Sequence, residues 1–340
     1  MGRISKSDGE ILINNIGIIG LGSIGQRHLR LVRELRPALN ITLVRSGNGE
    51  SIEDEKLADT VCYTLSEALN TGIQAAIIST PSVYHVEQAI VLIRAGVHVL
   101  VEKPLSHSTV NINKLLKIRR KSKIIGLVGY CLRYDPAALK FKAMLNEEMI
   151  GEIIDVTVEC GSYLPDWHPN KNYRESVSAN KKLGGGALLE LSHELDYVNW
   201  FFGDIDNVSG KLINSDTLDI DVEDSVDMIF NAAKGFTISI HLDFNSQTIR
   251  RTCKVRSTNG NLVWDAVAKK VVWQSVDEPE EDYFFHFDQD EIYREQLKHF
   301  IDCIENNQSP RVTFEDGAKV LRIVEAARKS SATGKRVAMA

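Results

Sequence analysis

The sequence predicts an α/β domain on a doubly wound parallel sheet, followed by an α+β domain whose sheet is large and mostly antiparallel. The first half of that prediction rests on short apolar runs that alternate with amphipathic stretches from Ile16 onward. Strands apolar on both faces and separated by helices belong in a parallel sheet covered on both sides. The second half rests on a change of texture after Arg133, where strands alternate apolar and polar residues at hairpin spacing. That is the pattern of an antiparallel sheet with one wet face. A chain of 340 residues also suits two domains of roughly 100–200 residues each.

The elements follow in order. "IGIIGLG" reads as strand then turn, and "IGQRHLRLVREL" as a helix with Leu29, Val32 and Leu35 on one side, ended by Pro37. "ITLVR", "TGIQAAIIST", "VHVLVEK" and "IIGLVGY" are further strands, with helices at "VYHVEQAIVLIRAG" and "TVNINKLLKIRRKS". Beyond Arg133, the helix "PAALKFKAMLNEE" leads to the strand "EIIDVTVECGSY" and a Gly-, Asn- and Lys-rich loop over 161–186. The helix "GGGALLELSHELDYVNW" and the strands "SVDMIFNA", "GFTISIHLDF", "RRTCKVRST" and "GNLVWDAVAKKVVWQ" come next. Two C-terminal helices occupy 290–332, the second opened by Thr313 with Asp316 three residues on, close to a capping box. The expected boundaries are a flexible tail at 1–13, a first domain at 14–130 and a second at 131–340.

Composition narrows the function classes. A net charge of −6 argues against nucleic acid or an anionic membrane as partner. Cys62, Cys131, Cys160, Cys253 and Cys303 are scattered with no CxxC pair, which disfavours a disulfide framework and a zinc site and fits a reducing cytoplasm. No metal is expected. The opening residues have no apolar stretch before Ile11, so they read as a loose tail and not as a signal peptide. No apolar run approaches the about 20 residues that cross a bilayer.

"GIIGLGSIG" places G-x-G-x-x-G at Gly20, Gly22 and Gly25, between a strand and a helix. Gly20 permits the tight turn, Gly22 lets backbone amides near a pyrophosphate, and Gly25 lets helix and sheet approach. Ser23 and Ile24 open the helix whose N-terminus forms the anion site. This is the fingerprint of a Rossmann dinucleotide-binding domain. An acidic residue at the end of the second strand would bind the ribose of NAD; Arg45 and Ser46 stand there instead. Arginine suits a 2′-phosphate, which favours NADP(H), with NAD(H) as the alternative.

Two further strings carry a resemblance. "IISTPSVYHVEQAIVLIRAGVHVLVEKPLS" holds a Thr80-Pro81 turn, His85 four residues on, and Glu102-Lys103-Pro104 at a strand end. With the glycine loop, "CLRYDP", "VEDSV" and the "GGG…H" helix, the chain resembles the Gfo/Idh/MocA oxidoreductases from Ile16 to about Val337. The resemblance implies a Rossmann domain joined to an open-faced α+β domain that binds substrate and forms a homodimer or homotetramer through its sheet. It also implies hydride transfer at a sugar or polyol carbon. Thr80, Pro81, His85, Glu102 and Lys103 then line the cofactor site.

Removing a hydroxyl proton as hydride leaves needs a base. Lys103, at the carboxyl end of a parallel strand, becomes one if burial and a cationic nicotinamide lower its affinity for protons. On a helix wheel, Leu188, Leu191, Leu195, Val198 and Phe202 form an apolar stripe, while Glu190, His193, Glu194 and Tyr197 share another face. His193 and Glu190 are the second catalytic pair, with Asp196 a rival partner for the histidine. In the family the acidic residue commonly lies four before the histidine; here Glu190 is three before. Trp167 offers a face for a sugar ring. His168, Tyr173 and Arg174 supply donors, Lys171, Lys181 and Lys182 positive charge, and Tyr130 and Arg133 complete the substrate set.

The reading is an oxidoreductase acting on a sugar, sugar acid or nucleotide-linked sugar. Two alternatives share the fold: a glycosidase that keeps NAD bound, and a non-catalytic dinucleotide-binding regulator, which has no need of Lys103 and His193 together.

Overall fold

The structure, a computed structural model, describes residues 12–47, 51–170, 172–277 and 279–339. Two compact units make up the chain. The first takes in the chain up to Ser106, Val110–Cys131 and Asp288–Gly317; the second takes in His107–Thr109, Leu132–Phe287 and the chain from Ala318 onward. Most of the expected tail lies outside the described residues, and Ile13 is already buried in the core.

In the first unit, β1 (Asn15–Ile19), β2 (Asn40–Val44), β3 (Thr60–Cys62), β4 (Ala75–Ile78), β5 (His98–Val101) and β6 (Gly126–Val128) form a parallel sheet in the order β3-β2-β1-β4-β5-β6. The helices are α1 (Ser23–Leu35), α2 (Leu65–Asn70), α3 (His85–Arg94) and α4 (Ile112–Lys121). Strand order reverses between β1 and β4, and such a switch point opens a crevice at the carboxyl ends of the strands. Ile16, Ile18, Leu43, Ile77 and Leu100 are fully buried in the sheet, as continuous apolar strands require.

The second unit contains α5 (Pro136–Met144), β7 (Ile153–Gly161), α6 (Ala187–Glu190) and α7 (His193–Phe202). It continues with β8 (Ile205–Ile213), β9 (Ser225–Ala232), β10 (Thr237–Asp243), β11 (Arg250–Ser257), β12 (Gly260–Asp265), β13 (Lys270–Ser275) and β14 (Glu281–Phe284). After α8 (Gln289–Glu305) and α9 (Phe314–Thr333), β15 (Val337–Ala338) closes the sheet in the order β14-β13-β12-β11-β7-β10-β9-β8-β15. The pairing is antiparallel except between β7 and β10. Alternate residues separate the faces: Val156, Val158, Met228, Phe230, Ile238 and Ile240 are buried, while Thr157, Asp227, Ile229, Ser239 and Lys254 are exposed. One face of this sheet is therefore open to solvent.

Two helices differ from the sequence reading. Helix α8, grouped there with the second domain, belongs to the first unit: Leu297, Phe300, Ile301 and Ile304 pack in one core with Ile16, Leu29 and Val32. Each such side chain contributes about 1.5–3 kcal/mol when buried. The helix expected after the glycines is broken, with α6 ending at Glu190 and α7 starting at His193. None of the five cysteines forms a disulfide, and all are buried. Burial pushes the Cys160 thiol up to about 12 and the Cys303 thiol up to about 11, so neither is a nucleophile at neutral pH. No helix among the described residues is long and apolar enough to cross a membrane.

Candidate functional site

The glycine loop joins β1 to α1. Gly20 has φ +98°, and its N–H donates to the Val44 carbonyl at 2.9 Å. A Cβ on Gly25 would lie 2.3 Å from the Gly20 oxygen, so only glycine lets α1 start this close to the strand. A Cβ on Gly22 would meet nothing within 4 Å. Gly22 and Ser23 are exposed, no side chain caps α1, and its first turn carries no acidic residue. The amides there are presented to an anion, and the residues fit a dinucleotide pyrophosphate.

The carboxyl ends of β4 and β5 are knitted to that loop. Ser79 Oγ donates to the carbonyls of Ile19 and Gly20, both at 3.0 Å. Thr80 Oγ1 donates to Gln88 Oε1 at 2.7 Å, and Pro81 follows half-buried. His85 is buried and faces two carbonyls, Nε2 at 2.7 Å from Thr80 O and Nδ1 at 2.9 Å from Pro104 O. Burial holds its proton affinity below the ordinary histidine range, against the pull of those carbonyls. His85 thus ties the Thr80-Pro81 turn to the Lys103-Pro104 turn, whose peptide is cis.

Lys103 is half-buried at the end of β5. Glu102, its neighbour, is buried, and its carboxylate serves two groups. Oε2 accepts the Lys103 N–H at 3.1 Å, and Oε1 lies 2.7 Å from His28 Nε2. A Cβ at Gly129 would press within 2.9 Å of that carboxylate and oblige it to shift. The sequence reading missed His28. Its signal was position: His28 shares the apolar face of α1 with Gly25, Leu29 and Val32, where a polar side chain must find a buried partner.

Arg45 leaves β2 directly after Val44. Its Nη1 lies 2.6 Å from Glu55 Oε1, and both side chains are largely buried. Ser46 beside it is exposed.

In the second unit, His193 is buried in the first turn of α7 and Glu190 is half-buried at the end of α6. The expected shared helical face does not form. Glu194 and Tyr197 point into the core: Glu194 Oε1 accepts from Arg251 Nε at 2.8 Å, and Tyr197 packs edge-on against Trp264. Asp196 takes the guanidinium of Arg133 through both oxygens, at 2.7 and 2.9 Å. Burial raises the Tyr197 hydroxyl well above its ordinary range. The glycines serve the protein's own backbone. A Cβ on Gly185 would lie 2.4 Å from Val177 O, and one on Gly186 would lie 2.3 Å from the Glu223 carboxylate.

The 161–186 loop is folded onto its own unit. Trp167 Nε1 donates to Ser162 Oγ at 2.8 Å, and the ring meets Phe244 edge-on. The Tyr173 hydroxyl donates to Leu218 O at 2.9 Å, with the Arg174 guanidinium over its ring and 3.2 Å from Asp219. His168, Lys181 and Lys182 are exposed, and Lys171 lies outside the described residues. Tyr130 is fully buried in the first unit.

A reversed parallel sheet, a glycine loop at its switch point and an open helix N-terminus define a dinucleotide-binding domain of the Rossmann class. Residues 14–130 match the oxidoreductase-family model for that fold, and residues 138–263 match the GFO/IDH/MocA C-terminal domain. The chain belongs to the Gfo/Idh/MocA family of oxidoreductases. It is 24% identical over 334 residues to the myo-inositol 2-dehydrogenase of Thermotoga maritima, covering 93% of this chain and 95% of that protein. To the 2,7-anhydro-N-acetylneuraminate hydratase of Mediterraneibacter gnavus it is 24% identical over 188 residues, 55% of this chain and 48% of that one. Among solved structures, a levoglucosan dehydrogenase in complex with NADH and levoglucosan superposes with a TM-score of 0.86 at 19% identity, over 96% of this chain and 99% of that one. The last likeness is one of fold.

Proposed function

We propose that the protein transfers hydride between a nicotinamide dinucleotide and a secondary alcohol or ketone of a sugar, sugar acid or nucleotide-linked sugar. Lys103 and His193 handle the hydroxyl proton. The observation that carries this reading is the seat of Lys103, at the carboxyl end of a strand two away from the glycine loop. Glu102 holds its N–H and His85 holds the Pro104 carbonyl beside it. A lysine positioned through its backbone at this end of the sheet is a suitable acid–base group for a substrate oxygen.

The glycine loop with Ser23 and Ile24 holds the pyrophosphate, Arg45 and Ser46 face the adenosine ribose, and Thr80, Pro81, His85, Glu102 and Lys103 frame the nicotinamide. When bound, the nicotinamide supplies the hydride acceptor or donor. Glu190 polarises His193, while Trp167, His168, Tyr173, Arg174, Tyr130 and Arg133 bind or shape the substrate pocket. The kinship with a myo-inositol 2-dehydrogenase supports a polyol or carbohydrate substrate. The open face of the nine-stranded sheet is the surface for a homodimer or homotetramer.

The test is a thermal-shift series with NADH and NADPH, followed by turnover of polyols, anhydrosugars and sugar nucleotides. Lys103→Ala should cut turnover by about two orders of magnitude or more, the scale of acid–base catalysis, and leave NADH affinity nearly intact. A variant with near-normal rates removes the assigned role. A second reading draws on the hydratase relative: a reaction with NAD kept bound and no net redox change. It predicts product formation with no change in the absorbance of reduced nicotinamide.

A further inference from the structure

Arg45 is placed to read the adenosine end of the dinucleotide. It follows Val44, whose carbonyl accepts the Gly20 N–H, and its own N–H donates to Cys62 O at 2.9 Å. In sheets of this kind the residue just past the second strand decides between a ribose hydroxyl and a 2′-phosphate. By residue type alone, arginine calls for the phosphate.

The structure gives Arg45 another partner. Its Nη1 lies 2.6 Å from Glu55 Oε1, with the two side chains 13% and 14% exposed. At that burial the pair is poorly screened by salt. Glu55 is itself anchored, because the same oxygen accepts the Ile52 N–H at 2.9 Å at the head of the turn Glu53–Leu57. That turn also carries Glu53 and Asp54, and Arg30 answers Asp54 at 2.7 Å. Among the described residues here, Arg30, Arg45 and Lys56 therefore stand against Asp54, Glu55 and Glu53.

We propose that Glu55 sets cofactor choice by holding the Arg45 guanidinium, so that the site takes NAD(H) in preference to NADP(H). The proposal rests on the dinucleotide reading above and sharpens it. A ribose hydroxyl is neutral and leaves the ion pair intact. A 2′-phosphate brings about two negative charges to a carboxylate that cannot swing away without releasing Ile52. It must break the pair or sit beside Glu55, and both outcomes weaken binding.

The test needs no substrate: fluorescence titration of the full chain with NADH and with NADPH. The native protein should bind NADH about tenfold or more tightly than NADPH, the scale of one charge-assisted hydrogen bond. Glu55→Gln keeps an acceptor for Ile52 and removes the charge. It should tighten NADPH about tenfold and move NADH less than about threefold. Adding Arg45→Gln should abolish that gain, which shows that the released guanidinium receives the phosphate. Native protein that binds NADPH as tightly as NADH overturns the proposal, as does a Glu55→Gln variant with unchanged NADPH affinity. If neither dinucleotide binds, the functional reading falls with it; if both bind and Glu55→Gln moves neither, this proposal falls alone.

Discussion

His28 on α1 and Glu102 at the end of β5 meet at 2.7 Å in the interior of the first unit, with side chains 0% and 7% exposed. The contact joins the helix that follows the glycine loop to the residue before Lys103. Replacing His28 by Leu removes one of the two partners of the buried Glu102 carboxylate. The expected loss is about 3 kcal/mol or more, read from the urea midpoint. His28→Gln retains a donor and should recover much of it. A His28→Leu variant as stable as the native protein would show that the contact carries no load.

The glycine loop separates a ligand effect from a folding effect. Gly22→Ala adds a methyl group into open space, so the melting temperature should hold while NADH affinity falls about tenfold as the methyl group displaces the pyrophosphate. Gly25→Ala drives a Cβ into the Gly20 carbonyl and should lower both. Equal behaviour of the two variants would mean that Gly22 faces no ligand.

Arg133 and Asp196 form a buried bidentate pair, with side chains 6% and 2% exposed. The pair seats α7 one turn beyond His193. Arg133→Met should destabilise by about 3 kcal/mol, because it removes the bidentate guanidinium from the buried Asp196 carboxylate. NADH affinity should change little, since the glycine loop is untouched. A loss of NADH binding larger than the loss of stability would point to a direct role in holding the dinucleotide.

Two histidines make the first unit acid-sensitive. The N–H of Ile125 donates to His98 Nδ1 at 2.9 Å, and the N–H of Arg311 donates to His299 Nε2 at 2.9 Å. Each nitrogen must stay unprotonated to accept. Burial lowers the proton affinity of both rings below the ordinary histidine value of 6.5, helped at His299 by Arg311. Below that value the unfolded chain gains protons that the folded one refuses, so stability is full above about pH 6.5 and is lost as pH falls. Both groups are half-exposed, which limits the drop to about 1 kcal/mol between pH 7.5 and 5.5. His98→Asn with His299→Gln keeps the acceptors and should flatten urea midpoints measured across that range. An equally steep double variant would place the acid sensitivity elsewhere.

Local chemistry made part of this molecule readable. The turn at Gly20, the packing at Gly25 and the unbroken apolar strands are short-range requirements, and each appears in the sequence as residue type and spacing. The partner of a charged group is a long-range fact. Nothing adjacent to Arg45 shows that the "EDEKL" stretch ten residues on would return Glu55 to it, and Glu194 gives no sign of Arg251. The break between α6 and α7 was hidden because Leu188, Leu191 and Leu195 keep one stripe running across it. Strand β8 was overlooked because "IDNVSGKLI" is polar and carries a glycine, with its neighbours supplying the apolar context.

Helix α8 bears on how the chain is made. The matched nucleotide-binding segment stops at residue 130, yet Leu297, Phe300 and Ile304 sit in the same core as Ile16 and Leu29. A fragment cut at that boundary would leave α1 with a bare greasy flank and should aggregate or recruit a surrogate. On the ribosome, the six-stranded sheet must wait uncapped until α8 has emerged, so it closes only after strands β7 to β14 of the other unit have been made.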